Sequence, residues 1–185
     1  MMRIGIDIDD TITDTYPVYL SLISVYYGLD YNKLLKNKPS YKELHKTLPD
    51  YDKFIKDCFH LMAKMAPLKK NVVEILNKLK EKGCEIVIIT ARNQEEYTTP
   101  YKISYDYLTK NNVPFDKMII GAKDKGLQCV SEGIDVFIDD NVGNCRAVRD
   151  KGIKTIRFDS GFKERDNSLI NVRSWNEVYE LLFGE

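Results

Sequence analysis

The chain has few of the residues that build zinc sites or disulfide frameworks. Its 185 residues include four cysteines and two histidines, and no two cysteines form a CxxC pair. His45 and His60 lie far along the chain from three of the four cysteines. Because zinc sites and disulfide frameworks need such ligands at short, regular spacings, the sequence predicts neither.

Long apolar runs and a charge excess of one sign are also missing. No hydrophobic stretch approaches the roughly 18 residues of a membrane-spanning helix, and aspartates interrupt the apolar residues near the N-terminus. Basic and acidic residues both number 28, so the formal net charge is zero. We therefore expect a cytoplasmic protein that binds neither a membrane nor a nucleic acid polymer.

One segment departs from this charge balance, because residues 31–82 contain 13 lysines and only 6 acidic residues. A solvated, lysine-dotted helical surface explains such a surplus. A field that attracts an anionic substrate is the less common explanation. The sequence leaves both explanations open.

Short apolar runs predict parallel strands that are buried on both faces. Helical patterns separate the later runs: one ends at Gly83, and the last begins with the capping-box pair Ser174 and Glu177. Strands that alternate with helices predict an α/β fold, a Rossmann-like doubly wound parallel sheet. The predicted strands span residues 3–7, 84–90, 117–121, 135–139 and 154–158.

Residues 16–66 interrupt this alternation. They show helical periodicity with no strand signal, and Pro17 and Pro67 lie near the two ends. We interpret this segment as a small helical cap inserted into an α/β core that is formed by residues 1–15 and 67–185.

Residues with reactive or charged side chains follow the predicted strands, and in an open α/β sheet ligands bind at the carboxyl ends of the strands. Three aspartates within four positions raise one another's pKa, so we expect a cation among them. Along the chain the strand ends carry Asp7, Asp9, Asp10 and Thr11; then Thr90, Ala91 and Arg92; then Lys123 and Lys125; then Asp139 and Asp140.

This set of residues suits metal-assisted phosphoryl transfer. Mg²⁺ prefers oxygen ligands and takes one or two carboxylates together with phosphate and water, which Asp7 with Asp139 or Asp140 can supply. A carboxylate can attack phosphorus to give an aspartyl-phosphate. Asp9 can then give a proton to the leaving alkoxide and later take one from the attacking water.

The phosphoryl oxygens need partners too, and Thr90 and Lys125 can hold them. Each signal alone also has an ordinary explanation: a threonine that ends a strand, a surface lysine, or an Asp139–Asp140 pair that caps the next helix. The order and spacing of the four motifs together are much harder to obtain by chance.

The ordered set "DIDDT", "IIT", "KDK" and "FIDD" resembles the haloacid dehalogenase (HAD) superfamily of phosphohydrolases, over nearly the whole chain. By this resemblance Lys123 competes with Lys125, and the "DK" pair with Asp124 as N-cap favours Lys125. The resemblance implies the following roles: Asp7 as nucleophile, Asp9 as general acid and base, Thr90 as second-motif hydroxyl, Lys125 as third-motif lysine, and Asp139 and Asp140 with Asp7 and the Asp9 carbonyl as Mg²⁺ ligands.

The insertion directly after the first motif, with the "DK…IDD" ending, is similar to the 5′(3′)-deoxyribonucleotidase family. One departure is Asp10, where many relatives carry glycine. The resemblance implies a nucleoside monophosphate as substrate, and a sugar phosphate or another small phosphomonoester is the alternative. The candidates for substrate contacts are Arg92, Ala91, Lys123 and Tyr16, while the other tyrosines of residues 16–66 either stack on a base or pack the cap itself.

A signalling receiver domain also gathers acids, a threonine and a lysine around Mg²⁺. In such domains the acidic pair comes early and the lysine last, whereas here Lys125 precedes Asp139 and Asp140. A helical insertion is foreign to them as well. The sequence therefore favours an enzyme, and it leaves the oligomeric state open.

Overall fold

The computed structural model describes residues 1–163 and 165–184. Its strands form one sheet in the order β3-β2-β1-β4-β5-β6, and every pairing is parallel. This confirms the predicted α/β fold with a doubly wound parallel sheet. The strands are β1 (Arg3–Ile6), β2 (Glu85–Ile89), β3 (Lys117–Ile119), β4 (Val136–Asp139), β5 (Lys154–Phe158) and β6 (Ile170–Val172).

The helices include the two that the sequence marks most clearly. Gly83 adopts φ +78° just after α5, a conformation that glycine reaches at low cost, and Ser174 Oγ accepts the Glu177 N–H at 3.2 Å before α9. The helices are α1 (Thr15–Tyr27), α2 (Tyr31–Asn37), α3 (Tyr41–Thr47), α4 (Tyr51–Met65), α5 (Val72–Glu81), α6 (Pro100–Lys110), α7 (Lys125–Ser131), α8 (Val142–Arg149) and α9 (Trp175–Phe183).

All five predicted strands are present, and β6 is an additional one. It has only three residues, of which Ile170 is exposed and Val172 is buried. A run this short gives no readable periodicity, so the sequence did not indicate it. Glu164 and Glu185, which belong to the predicted core segment 67–185, lie outside the described residues.

Helices cover both faces of the sheet, which explains why the strands lack polar alternation. One face packs on α5 and α9 through Ile4, Ile86 and Ile88, among others. The opposite face packs through a smaller cluster that includes Val87 and Phe137. Burial on both sides fixes the strands, and with them the residues at their carboxyl ends.

Helices α1–α4 pack around a separate, aromatic cluster. Its members include Tyr19, Phe54 and Phe59, and the hydroxyls of Tyr19 and Tyr51 lie 2.7 Å apart in a hydrogen bond. Most tyrosines of this segment therefore pack the helices themselves. The division into a core and an inserted cap at residues 16–66 stays a prediction. None of the described helices is long and apolar enough to cross a membrane.

Helix α9 is tied to the loop that follows β1. Trp175 is fully buried, and its indole N–H donates to the Thr11 carbonyl at 3.1 Å. The Trp175 ring also lies 5.9 Å from the ring of Phe158 at the end of β5. This contact holds the turn that carries the first group of aspartates.

We expect Trp175→Phe to lower the free energy of unfolding by about 1–3 kcal/mol, because it removes the buried donor of the Thr11 carbonyl. Urea denaturation followed by circular dichroism measures the change. Leu181→Ala on the same helix is the control, since Leu181 is 40% exposed, and we expect a change of at most about 0.5 kcal/mol. Equal unfolding midpoints for Trp175→Phe and the parent chain would contradict the account.

Candidate active site

The segment after β1 forms a tight turn at the rim of the sheet. The Asp7 N–H donates to the Ile138 carbonyl of β4 at 3.0 Å, and the Ile12 N–H donates back to the Ile8 carbonyl at 2.9 Å. Asp10 adopts φ +59°, a left-handed conformation that aspartate tolerates better than most residues. This explains how Asp10 can stand where many relatives carry glycine.

Lys125 lies at the first position of α7, and its ammonium reaches the centre of the site. The N-cap Asp124 accepts the Leu127 N–H at 2.9 Å. The Lys125 side chain is 1% exposed and forms ion pairs with Asp7 and with Asp139, the latter at 2.9 Å. Its ammonium also donates to the Ile89 carbonyl at 2.9 Å.

Lys123, the other lysine of the third motif, lies outside this cluster. It is exposed, and its ammonium is 3.4 Å from Glu95. The structure therefore brings Lys125, and not Lys123, to the carboxylates. Gly126 is required next to it, because a Cβ there would lie 2.9 Å from the Ala147 carbonyl oxygen of α8.

Asp7, Asp139 and Asp140 form a buried group of carboxylates. Each offers one oxygen, and these oxygens lie within 4.8 Å of one another. Burial raises the pKa of Asp7 to about 8 and that of Asp140 to about 7. Three hard oxygen donors in one place fit a divalent cation, which would also offset their mutual repulsion.

The two members of the fourth motif are held differently. Asp139 accepts the Asn141 N–H at 2.7 Å and the Asn144 side-chain amide at 3.0 Å. Asp140 forms an ion pair with the Lys163 ammonium. Backbone and side-chain amide donors thus orient Asp139 in addition to Lys125, whereas the ion-pair partner of Asp140 is Lys163.

Arg92 donates two hydrogen bonds to the Asp9 carboxylate, from Nε at 2.9 Å and from Nη2 at 2.7 Å. Thr15 Oγ1 adds a third at 2.8 Å, and Arg92 also donates to Ser104 Oγ at 3.2 Å. Burial alone would raise the pKa of Asp9, but the Arg92 guanidinium brings it below its ordinary value. The predicted contact between Arg92 and substrate stays a prediction. In the structure the Arg92 guanidinium is bound to Asp9.

A cavity of about 560 Å³ opens above these residues, between the strand ends and the segment α3–α4. The apolar side chains in its lining include Ile55, Phe59 and Met62, and the polar ones include Glu96 and Tyr51. The predicted residues in its lining are Asp7, Asp9, Asp10, Thr90, Ala91, Arg92, Lys125, Asp139 and Asp140.

Tyr16 and Lys123 are not part of this lining. Tyr16 is 3% exposed, and its hydroxyl donates to the Pro39 carbonyl at 2.7 Å. Its ring packs on Phe162 and Tyr19. The structure thus gives Tyr16 a packing position, and it offers no support for the predicted contact with substrate.

Sequence reasoning missed Lys163, which lines the cavity from the loop after β5. No motif contains it. The usable signal was its place after the fifth predicted strand, because the carboxyl ends of all parallel strands meet at one rim.

Known proteins resemble this chain along nearly its whole length. The profile of the family described as "5' nucleotidase, deoxy (Pyrimidine), cytosolic type C protein" matches residues 1–184. The chain is 28% identical to the Bacillus subtilis (strain 168) protein named "Putative nucleotidase YqfW", over 97% of this chain and 93% of that one.

Solved structures share the fold. A HAD-superfamily hydrolase of subfamily IA from Geobacter sulfurreducens PCA superposes with a TM-score of 0.64 at 13% identity, over 98% of this chain and 96% of that one. A HAD phosphatase from Thermococcus onnurineus superposes with a TM-score of 0.60 at 16% identity, over 100% and 99%. At these identities the likeness concerns the fold alone.

The raised pKa values predict how stability depends on pH when a chelator removes divalent cations. Groups such as Asp140 bind protons more tightly in the folded than in the unfolded chain, so stability is greatest below about pH 4 for these groups and falls as pH rises toward 8. Asp9 acts in the opposite sense, but its lowered pKa confines that effect to acid pH.

We therefore expect the chain in EDTA to be less stable at pH 8 than at pH 6, and Mg²⁺ to raise the melting temperature more at pH 8. Differential scanning calorimetry measures both effects. Asp140→Asn is the comparison, and its stability should fall less between the two pH values. A chain in EDTA that becomes more stable from pH 6 to pH 8 would refute this description of the carboxylates.

Proposed function

This chain belongs to the 5′ nucleotidase, deoxy (pyrimidine), cytosolic type C family and is a phosphoric monoester hydrolase of the HAD type; we propose that it is a Mg²⁺-dependent nucleotidase that works through an aspartyl-phosphate on Asp7. The observation that carries the mechanism is the Lys125 ammonium between Asp7 and Asp139, inside a group of three buried carboxylates. We keep a cytoplasmic location as part of this proposal.

Asp7 is the nucleophile in this proposal. Its carboxylate lines the cavity, and its backbone is fixed to β4 by the hydrogen bond to Ile138. Burial favours the protonated form of Asp7, and the Lys125 ammonium opposes that effect. An ionised oxygen is what attacks phosphorus, and a divalent cation beside Asp7 would favour the ionised form further. The bond that breaks joins phosphorus to the ester oxygen of the substrate.

Asp9 moves the protons. Its side chain lines the cavity and is 27% exposed, against 9% for Asp7, so a leaving group bound in the cavity could reach it. The Arg92 guanidinium and Thr15 hydroxyl fix its direction. A phosphate dianion beside Asp9 raises its pKa and favours the protonated form for the first step. Once the phosphoryl group is on Asp7, ionised Asp9 takes a proton from the attacking water.

Thr90 and Lys125 hold the phosphoryl oxygens. Both are buried, with exposures of 1% and 2%. Lys125 supplies a fixed positive charge in a site of low dielectric, where it stabilises the charge shared by the transferring group. Asp7, Asp139, Asp140 and the Asp9 carbonyl would hold Mg²⁺, which supplies further charge neutralisation of the phosphoryl oxygens.

The size and chemistry of the cavity favour a nucleoside monophosphate. Its volume lies within the ~300–1,000 Å³ of small-molecule sites. Ile55, Phe59 and Met62 offer an apolar surface against which a flat base can lie. A sugar phosphate lacks a group that would use this surface, and it is the alternative substrate that the next experiment separates.

We expect Asp7→Asn to lower kcat at least about 10³-fold, since the amide cannot attack phosphorus. Phosphate release from nucleoside 5′- and 3′-monophosphates and sugar phosphates, with Mg²⁺ or with EDTA, measures it and ranks the substrates. Asp57→Asn is the matched control, because Asp57 is exposed on α4 away from the cavity. A chain that turns over sugar phosphates faster than nucleotides would overturn the nucleotidase assignment.

Asp9→Asn separates the two chemical steps. With p-nitrophenyl phosphate, whose leaving group needs no proton, we expect phosphorylation of the protein to continue and hydrolysis of the phospho-protein to slow by about 10²–10⁴-fold. Acid-quenched protein from ³²P-labelled substrate should then retain label that hydroxylamine removes. Absence of ³²P label from the Asp9→Asn protein would contradict the aspartyl-phosphate mechanism. Label on the double variant that carries both Asp7→Asn and Asp9→Asn would contradict it as well.

A further inference from the structure

Lys163 is a cation at the site that the four motifs do not include. It lies on the loop after β5, its side chain is 29% exposed, and its ammonium contacts the carboxylate of Asp140. It lines the same cavity as Asp7 and Lys125. Lys125 is buried against its three partners, whereas the Lys163 side chain is partly exposed to solvent.

The loop that presents Lys163 is fastened to the helices above the sheet. The ring of Phe162 lies 4.9 Å from that of Tyr16 in α1. The Lys38 ammonium, just after α2, donates to the Gly161 carbonyl at 2.8 Å. These contacts hold the two residues that precede Lys163, so its place beside the cavity does not depend on the ion pair with Asp140 alone.

The phosphoryl group lies within reach of this ammonium. One oxygen of Asp7 and one of Asp140 are at most 4.8 Å apart. Lys163 is in hydrogen-bond contact with Asp140, so its ammonium is within about 10 Å of that Asp7 oxygen whichever Asp140 oxygen it contacts. Phosphorus in position for attack sits about 3–3.5 Å from that oxygen. The flexible four-carbon stem of lysine can cover the remaining distance.

The charges favour the same contact. Asp140 would give an oxygen to the divalent cation of the proposed function, which would leave less of the Asp140 charge to neutralise the Lys163 ammonium. The arriving phosphate is a dianion, and the charge of the Lys125 ammonium is already divided between Asp7 and Asp139.

We propose that Lys163 binds a phosphate oxygen of the substrate, as a second ammonium on the Asp140 side of the cavity. This assignment rests on the proposed function. Lys163 would then bind the phosphoryl group of any phosphomonoester, whatever the leaving group is.

The test is calorimetric titration of inorganic phosphate into the whole chain in the presence of Mg²⁺. We expect Lys163→Met to weaken phosphate binding at least about 10-fold and Lys163→Arg to stay within about 3-fold of the parent chain, because arginine keeps the charge. Lys46→Met, at an exposed lysine of α3 beside the same loop, is the matched control and should bind as the parent chain does. In kinetics, Lys163→Met should raise KM more than it lowers kcat.

Two results would overturn the assignment. One is phosphate binding that is equal in Lys163→Met and the parent chain, together with tighter Mg²⁺ binding, which would mean that Lys163 only neutralises Asp140. The other is the absence of phosphate binding in every variant. Failure of the proposed function is recognised separately, since it would leave the parent chain without turnover of any phosphomonoester.

Discussion

Repulsion among carboxylates is the constraint on which the site depends. Five aspartates lie at one rim of the sheet, and three cationic side chains pair with them: Lys125 with Asp7 and Asp139, Arg92 with Asp9, and Lys163 with Asp140. Five carboxylates against three cations leave a formal surplus of two negative charges. One divalent cation would match that surplus, which burial makes costly because the low dielectric strengthens every unbalanced charge. Without a cation, protonation of Asp7 and Asp140 relieves the repulsion, as their raised pKa values indicate.

The parallel sheet assembles this balance from distant parts of the chain. β1, β2 and β4 are neighbours, so the residues after them converge although 132 positions separate Asp7 from Asp139. Lys125 arrives from the start of α7, which Gly126 allows to approach α8 closely. The apolar residues of the strands take no part in the chemistry. Because the strands are buried on both faces, they hold the carboxylates in place against the repulsion between these groups.

Much of this could be predicted from the sequence. Apolar runs located β1–β5 because such runs are local signals, and the resemblance to a nucleotidase family favoured Lys125 over Lys123. The partners of Arg92 and Lys163 could not be predicted, since each pair joins residues that only the folded sheet brings together. Tyr16 shows the same limit. The sequence shows that it is aromatic, but only the fold shows that its ring packs on Phe162 and that its hydroxyl donates to the Pro39 carbonyl.

The central claim is that a divalent cation sits among Asp7, Asp139 and Asp140. Anomalous diffraction from a crystal soaked in Mn²⁺, which takes the same oxygen ligands as Mg²⁺, tests it most directly. The account predicts one strong peak within coordination distance of Asp7 and at least one of Asp139 and Asp140. A peak elsewhere, or none at this rim in a crystal that binds Mn²⁺ at other carboxylates, would contradict it.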